Sequence, residues 1–173
     1  MIIELNGISP TIGQNVYIAP TAVIVGDVTI EDGANIWFGV VIRGDTGKIA
    51  IGAHASIQDN TVIHVNSEHD TIVEPGTTIG HGAVVEGCHI EKGVLVGMHA
   101  TILSGARIGA GAFIAAGSLI KENQIIPAHH LAAGVPGRVV KPLSTALSNR
   151  LTHVSEAYLK LSRLYDSSAK IVS

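Results

Sequence analysis

The chain has 173 residues, the size of one ordinary domain, and a formal net charge of −3. Hydrophobic residues make up 46% of it but aromatic residues only 3%, so its core must be built mainly from aliphatic side chains. The slightly acidic balance argues against binding to nucleic acid or to an anionic membrane, and the single cysteine excludes an intrachain disulfide.

The beginning of the chain predicts no secretion signal. The start, MIIELNG, lacks the basic segment and the apolar run of such a signal. No uninterrupted apolar stretch reaches the length of about 18 residues that a spanning helix needs. A single cysteine also suits a reducing compartment, so we expect a cytoplasmic protein without a membrane segment.

Isoleucine or valine recurs every six residues along most of the chain. The first positions of these hexads are Ile12, Ile18, Ile24, Ile30, Ile36, Ile42, Ile51, Ile57, Ile63, Val73, Ile79, Val85, Ile90, Val96, Ile102, Ile108, Ile114, Ile120 and Ile126. The fourth position is usually Gly, Asn, Asp or His, which best tolerate a left-handed backbone, and the fifth is usually small. Each hexad therefore predicts a short strand and a tight turn, and the period predicts a parallel β-helix with three hexads per triangular coil.

The six-residue step is irregular at three places in the middle of the chain. Three residues are added after Ile42, four are added after Ile63, and one is lost after Val85. Interruptions of a solenoid are where functional residues are usually placed. We therefore expect a functional site beside these three hexads.

Polar side chains follow the first position in three hexads of one predicted face. Arg43, His64 and Glu86 should stack there in a column, about 4.8 Å apart from one coil to the next. Gln58 and His81 fall on the preceding face, so the two imidazoles should not share a ligand within one chain. Side-by-side packing of two prisms can bring His81 of one chain to His64 and Glu86 of another. A metal site made this way requires a closed ring, and three is the natural number for a triangular prism.

The repeat breaks down after Ala132, where Pro136 and Pro142 indicate loops. Residues Ser144–Ser168 then predict a helix with Ser144 as its N-cap. Its apolar face at helical spacing consists of Leu147, Leu151, Val154, Tyr158, Leu161 and Tyr165. We predict two parts, a β-helix domain over residues 1–143 and a helical segment over 144–173 that packs on the solenoid or on a neighbouring subunit.

Three of the nine histidines have a structural explanation in the turns of the repeat. His54, His99 and His129 occupy the fourth position of their hexads, so we interpret them as turn residues with a left-handed backbone. His89 lies in the shortened hexad close to the polar column. It is therefore the one additional histidine that we keep as a candidate ligand.

Four motifs occur in a specific order and spacing. They are RGD at Arg43–Asp45, IQDNTVIH at Ile57–His64, IGHGAVVEGC at Ile79–Cys88 and VGMHATIL at Val96–Leu103. Together they resemble the γ-class carbonic anhydrases of the hexapeptide-repeat superfamily, and the resemblance covers nearly the whole chain. Composition does not give the hand of the solenoid, and parallel strands usually have right-handed crossovers. The resemblance instead implies an all-β solenoid of the left-handed kind, a left-handed parallel β-helix with a C-terminal α-helix.

The resemblance also implies a site and an activity. It implies a homotrimer that holds zinc, or another divalent transition metal, between subunits and reversibly hydrates carbon dioxide to bicarbonate with a metal-bound hydroxide. His64 and His81 correspond to two of the three metal-binding histidines of the family, and Glu86 stands where the family has the third. Arg43 and Asp45 correspond to the ion pair at the subunit interface.

Two further residues have candidate catalytic roles. By the same resemblance, Gln58 is a polar neighbour of the metal-bound solvent. The insertion after His64 contains Glu68 and His69, which are able to carry protons from the site to solvent. The alternative for this insertion is a solvated charged loop without a catalytic role.

The glutamate at position 86 leaves several interpretations open. Two histidines and a glutamate bind zinc in some hydrolases, but the extra negative charge makes the bound water less acidic. Either Glu86 or His89 is then available to complete the site. The alternative functions are a catalytically weak or silent protein with the anhydrase fold and a CoA-dependent hexapeptide acyltransferase. The chain lacks the long protruding loop expected of such a transferase.

Overall fold

The computed structural model describes residues 1–170, apart from the side chains of Arg150 and Thr152. The last three residues of the predicted segment 144–173 lie outside the described residues. The strands are β1 (Ile2–Ile3), β2 (Thr11–Ile12), β3 (Tyr17–Ile18), β4 (Val23–Ile30), β5 (Asn35–Ile36), β6 (Val41–Ile51), β7 (Ser56–Ile57), β8 (Val62–His64), β9 (Thr71–Val73), β10 (Thr78–Ile79), β11 (Val84–Glu86), β12 (His89–Ile90), β13 (Leu95–Val96), β14 (Thr101–Ile102), β15 (Arg107–Ile108), β16 (Phe113–Ile114), β17 (Leu119–Ile120), β18 (Ile125–Ile126), β19 (His130–Gly134) and β20 (Gly137–Pro142). The helix α1 covers Thr145–Ser168.

These strands wind into the left-handed parallel β-helix predicted above. One face of the prism consists of β3, β5, β7, β10, β13, β16 and β19, and we call it the helix-covered face because α1 packs on it. The second, the histidine face, consists of β8, β11, β14, β17 and the first halves of β4 and β6. The third face consists of β9, β12, β15, β18 and the second halves of β4 and β6.

The interior of the prism is a stack of aliphatic side chains. On the histidine face Ile24 pairs with Ile42, which pairs in turn with Ile63, and all three are fully buried. Burial of apolar surface stabilises a fold by roughly 25 cal/mol per Å². Branched residues that repeat coil after coil therefore replace the aromatic core that this composition cannot supply.

The turns between faces use the fourth hexad position in a left-handed conformation, as predicted. His54, His99 and His129 have φ values of 58°, 56° and 56°. The structure adds a pattern that the sequence analysis missed, because such a side chain lies over a glycine of the preceding coil. A Cβ atom built on Gly33 would lie only 2.4 Å from Nδ1 of His54. The glycine thus leaves the space that the next histidine ring occupies.

The C-terminal end of the solenoid differs from the prediction. Proline at position 142 was interpreted as a loop residue, but Pro142 ends β20 and pairs with His130. The chain reverses at Gly134, which has a positive φ of 103°, so β19 and β20 form an antiparallel hairpin. A glycine in that conformation permits the tight reversal that the hexad pattern does not contain.

Helix α1 begins next to Ser144, whose side-chain oxygen accepts a hydrogen bond from the backbone N–H of Leu147. Leu161 was expected on the packed face of this helix but is 37% exposed, so that expectation was wrong. The described residues 1–170 contain no candidate membrane-spanning helix.

The second half of α1 packs against the aromatic residues of the helix-covered face. Tyr165 and Tyr158 place their ring centroids 5.2 and 5.5 Å from that of Trp37. Tyr17 lies 5.2 Å from the same indole, whose Nε1 donates to Oδ1 of Asn35. Most of the few aromatic side chains in the chain therefore pack the helix against the prism.

Candidate metal centre

Three polar residues of the histidine face lie in register on neighbouring strands. Arg43 pairs with His64, and His64 pairs with Glu86. The four-residue insertion lies between His64 and Glu86, yet the register is kept because the extra residues leave the strand after His64. The predicted polar column is therefore confirmed, and it lies on the outer surface of the prism.

Asp45 joins the first two members of this column. The Arg43 guanidinium donates to Oδ2 of Asp45, and Nε2 of His64 lies 2.9 Å from Oδ1. Burial alone would raise the pKa of Asp45, but the hydrogen bonds from His64 and Arg43 outweigh it and lower that pKa. An ionised carboxylate accepts the Nε2 proton of His64 and leaves Nδ1 with its lone pair. The Arg43–Asp45 pair forms within one chain.

His64 and Glu86 face each other across the gap between two coils. Nδ1 of His64 lies 3.9 Å from Oε2 of Glu86. This distance is too long for a hydrogen bond, and it is shorter than the sum of two zinc–ligand bonds of about 2.0–2.2 Å each. The two atoms therefore fit on either side of one divalent ion, and both are donor types that zinc accepts.

His81 lies two residues after β10, on the helix-covered side of the prism. Its Nδ1 is 2.8 Å from Oδ2 of Asp59, and its Nε2 is 3.0 Å from the hydroxyl of Tyr158. Burial raises the pKa of Tyr158, and the charge of Asp59 adds to this effect, so the phenol keeps its proton at neutral pH. Asp59 orients the ring as carboxylates orient metal-binding histidines, but Nε2 accepts the Tyr158 hydroxyl, so a metal at Nε2 has to displace that hydrogen bond.

The contacts of Asp59 and Tyr158 with this histidine were not predicted from the sequence. Asp59 directly follows Gln58 in the sequence, and no role was predicted for it. Tyr158 was assigned only to the apolar face of the helix. The sequence feature that could have indicated this contact is the hydroxyl of Tyr158, a polar group on a helix face that is otherwise mainly aliphatic.

The two residues with candidate catalytic roles lie in different surroundings. Gln58 is buried and lines a cavity beneath α1 together with His81 and Tyr158. Glu68 is exposed on the loop after His64. That loop is shaped by Asn66, whose side-chain oxygen accepts the backbone N–H groups of Glu68 and His69 at 3.0 and 2.9 Å.

His89, the alternative third donor, lies on the third face and pairs with other residues. Its Nε2 is 2.7 Å from Oε1 of Glu74, and its neighbours in register are Ile72 and Arg107. The histidine face thus presents Glu86 rather than His89 to His64. The structure favours Glu86 as the partner of His64.

One chain does not bring all the candidate donors together. Within residues 1–170 no group of three or more His, Cys, Asp or Glu side chains is placed to hold a metal ion. His64 and Glu86 meet on one face, whereas His81 stands on another and is bonded to Asp59 and Tyr158. The donor types suit a divalent metal, but within one chain they do not meet at a common point.

Comparisons with known proteins match nearly the whole chain. The family described as bacterial transferase hexapeptide (six repeats) matches residues 9–44 and 87–122. A Methanocaldococcus jannaschii protein named "Probable carbonic anhydrase" is 49% identical over 156 residues, which cover 90% of this chain and 98% of that protein. The Arabidopsis thaliana protein named gamma carbonic anhydrase 2, mitochondrial, is 36% identical over 92% of this chain, which spans 59% of the plant protein. A solved hexapeptide transferase family protein from Anaplasma phagocytophilum superposes with a TM-score of 0.92 and 35% identity, covering 95% of this chain and 98% of its own.

Proposed function

This chain belongs to the γ-class carbonic anhydrase family of hexapeptide-repeat proteins, and from that premise we propose that it holds a divalent metal ion between copies of itself and reversibly hydrates carbon dioxide. One observation carries the proposal. Nδ1 of His64 and Oε2 of Glu86 face each other at 3.9 Å on an uncovered face of the prism. Zinc, or another divalent transition metal, is the cofactor that this donor set suits.

A second copy of the chain supplies the third donor in this proposal. Val62 and Val84 pair across β8 and β11 beside the polar column, and they are 37% and 39% exposed. Covering such outward valines with another prism removes apolar surface from water. The same contact lets His81 of a neighbour approach His64 and Glu86. Three prisms close a ring in which every copy has the same contacts, so we propose a homotrimer.

Different residues of the chain have different proposed roles around the metal. Zinc held by these residues would lower the pKa of its water to about 7, low enough to release a proton at neutral pH. Asp45 and Asp59 hold the imidazoles of His64 and His81 in one tautomer and orientation. The buried amide of Gln58 orients the reacting solvent from the cavity side. Glu68, exposed on its loop, passes the released proton to bulk water.

Glu86 sets the expected strength of the activity. A carboxylate in place of a third imidazole adds one negative charge to the donor set, which makes bound water less acidic. The substitution is also the observation that favours the second candidate, a weakly active or silent member of the family. Both candidates share the assembly and differ in turnover.

The test combines metal content with carbon dioxide hydration on the purified, assembled protein. We expect about one metal ion per chain, lost in Glu86→Ala, and a hydration rate or metal content that rises in Glu86→His. Glu122→His, on an exposed turn, is the control for the added histidine. If metal content and rate stay flat in both Glu86 variants, the placement of Glu86 as a ligand is wrong. Metal binding without hydration favours the silent candidate, and tight acetyl-CoA binding without metal favours a transferase.

A further inference from the structure

Both ring nitrogens of His81 are occupied within the single chain. Nδ1 lies 2.8 Å from Oδ2 of Asp59, and Nε2 lies 3.0 Å from the hydroxyl of Tyr158. In a neutral imidazole beside a carboxylate, Nδ1 carries the proton and donates it to Asp59. Nε2 is then the acceptor, and the Tyr158 hydroxyl donates to it. The lone pair that a metal ion would need on this ring is therefore already used by a phenol of α1.

The other proposed histidine ligand presents its nitrogens differently. Nε2 of His64 lies 2.9 Å from Oδ1 of Asp45, whereas Nδ1 faces Oε2 of Glu86 at 3.9 Å, which is too long for a hydrogen bond. Each imidazole is thus held by one carboxylate. On His64 the second nitrogen faces a candidate co-ligand, and on His81 it is closed by a hydroxyl.

The helix that carries this hydroxyl is held to the prism unevenly. Its second half is fixed by Tyr165, whose ring centroid lies 5.2 Å from that of Trp37 and 6.0 Å from that of Phe38. Beneath its first half lie two cavities of about 410 and 440 Å³, whose linings share Leu95 and Leu151. Protein interiors normally contain few voids larger than a water molecule. The first half of α1 therefore has room to move while the second half stays anchored.

Tyr158 lies between these two parts of the helix. Its ring packs edge-on against Trp37, with 5.5 Å between the centroids, and it lines the first cavity next to His81. A further bond from this half of the helix, from Oγ of Ser155 to the carbonyl of Gly76, is long at 3.4 Å. A phenol released from His81 thus has an adjoining space to enter, and its release removes the shorter of these two bonds to the prism.

We propose that Tyr158 is a latch on the metal centre: its hydroxyl occupies the metal-binding nitrogen of His81 until a metal ion and the neighbouring copy displace it. On release the phenol turns into the cavity beneath α1, and the first half of the helix loses a bond to the prism. The inference rests on the proposed function, because it concerns the regulation of the same centre. The latch makes the centre bind metal more weakly than its donor atoms alone would.

The expected size of the effect follows from the bond that the metal has to replace. One hydrogen bond between uncharged groups changes an equilibrium by roughly three- to tenfold. Tyr158→Phe removes the hydroxyl and keeps the ring against Trp37. Nε2 of His81 then has lost its donor, so a metal ion takes that position without competition. A hydroxyl that merely supported the helix would leave the metal affinity unchanged or lower it.

The first test titrates zinc into the metal-free, assembled protein by calorimetry. Tyr158→Phe should bind zinc roughly three- to tenfold more tightly than the parent. Tyr165→Phe, on the same helix and against the same indole, is the matched control and should bind as the parent does. Equal or weaker zinc binding by Tyr158→Phe overturns the latch.

A second measurement follows the helix itself by hydrogen exchange of its backbone amides. In the parent, zinc should speed the exchange of residues 145–158 about threefold and leave residues 159–168 unchanged. In Tyr158→Phe the first half should already exchange at the faster rate without metal, and zinc should not raise it further. Exchange that zinc changes equally in both proteins, or in neither, contradicts the latch.

The outcomes separate this inference from the proposed function. Zinc uptake by the assembled protein, with no gain in Tyr158→Phe, overturns the latch alone. If neither the parent nor Tyr158→Phe takes up zinc, the proposed metal centre is wrong and the latch fails with it. Zinc uptake by Tyr158→Phe alone supports both.

Discussion

The helix-covered face and the histidine face are built from the same six-residue repeat but differ in their outward-pointing side chains. Inside the prism, Ile79 of the first and Ile63 of the second are both fully buried. Outside it, Ser56 of the helix-covered face is fully buried, whereas Val62 and Val84 of the histidine face remain exposed. The repeat thus fixes the inward residues alike, and the outward residues decide what covers each face. One face is covered by the chain's own helix, and the other presents half of the proposed metal centre.

The largest expected effect breaks the histidine face. Val84→Asp puts a charge where the proposed neighbour packs, and burying an unpaired charge is very costly. We expect the variant to be monomeric and to lose all metal, as measured by light scattering and elemental analysis. Ile125→Asp, on the exposed third face, is the control and should remain assembled. A metal-loaded trimer of Val84→Asp would show that this face is not the interface.

The next largest effect is expected from weakening the packing of α1 on the helix-covered face. Trp37→Ala removes a ring that is 3% exposed and contacts both Tyr158 and Tyr165. Large aromatic deletions cost about 3–5 kcal/mol, so the free energy of unfolding in urea should fall by that amount. Phe38→Ala, which deletes a half-exposed ring on the same surface, should cost clearly less. Equal losses for the two variants would contradict the packing of α1 described above.

A smaller effect tests the turns that join the faces. Gly33→Ala forces a Cβ onto a residue with φ of 68° and to within 2.4 Å of the His54 ring. Gly93→Ala meets the same conformation, with φ of 65°, but no atom lies within 4 Å. We expect Gly93→Ala to lose about 1 kcal/mol of unfolding free energy and Gly33→Ala to lose more. The comparison fails if both variants unfold at the same urea concentration.

The smallest expected effect is the pH dependence contributed by Asp45. Its pKa is lower in the folded chain than in the unfolded chain, so the stabilisation is present above the unfolded pKa and is lost as the pH falls through the folded pKa. Acidification below about pH 4 should therefore destabilise the parent more than Asp45→Asn. Parallel urea midpoints for the two proteins across that range would exclude the contribution.

The fold was predictable because a closed prism repeats one constraint. Every sixth residue must point inward, so the sequence period identifies the strands, the turn histidines and the register of His64 with Glu86. The outward contacts follow no period. Tyr158 reaches His81 only because of how α1 packs against the rings at Trp37. Neither that contact nor the exposure of Leu161 is encoded in a local spacing.

The candidate site was likewise predictable in its strand positions but not in its outward side-chain contacts. Counting residues placed His64 and Glu86 in one column and His81 on another face, since insertions leave the strands unshifted. Residue counting did not identify the carboxylates that orient the imidazoles, because side-chain rotamers depend on neighbours from other coils.

The hairpin of β19 and β20 affects how copies of this chain assemble into larger particles. A parallel solenoid that simply stopped would offer its last rung as a template for the first rung of another molecule, and end-to-end addition would yield fibres. Here the last strand of the helix-covered face runs in the opposite direction to its neighbour, so that face does not repeat the geometry below it, whereas the other two faces end in the parallel strands β17 and β18. Longitudinal addition through the helix-covered face is thereby disfavoured, and lateral association is favoured as the route to a finite particle.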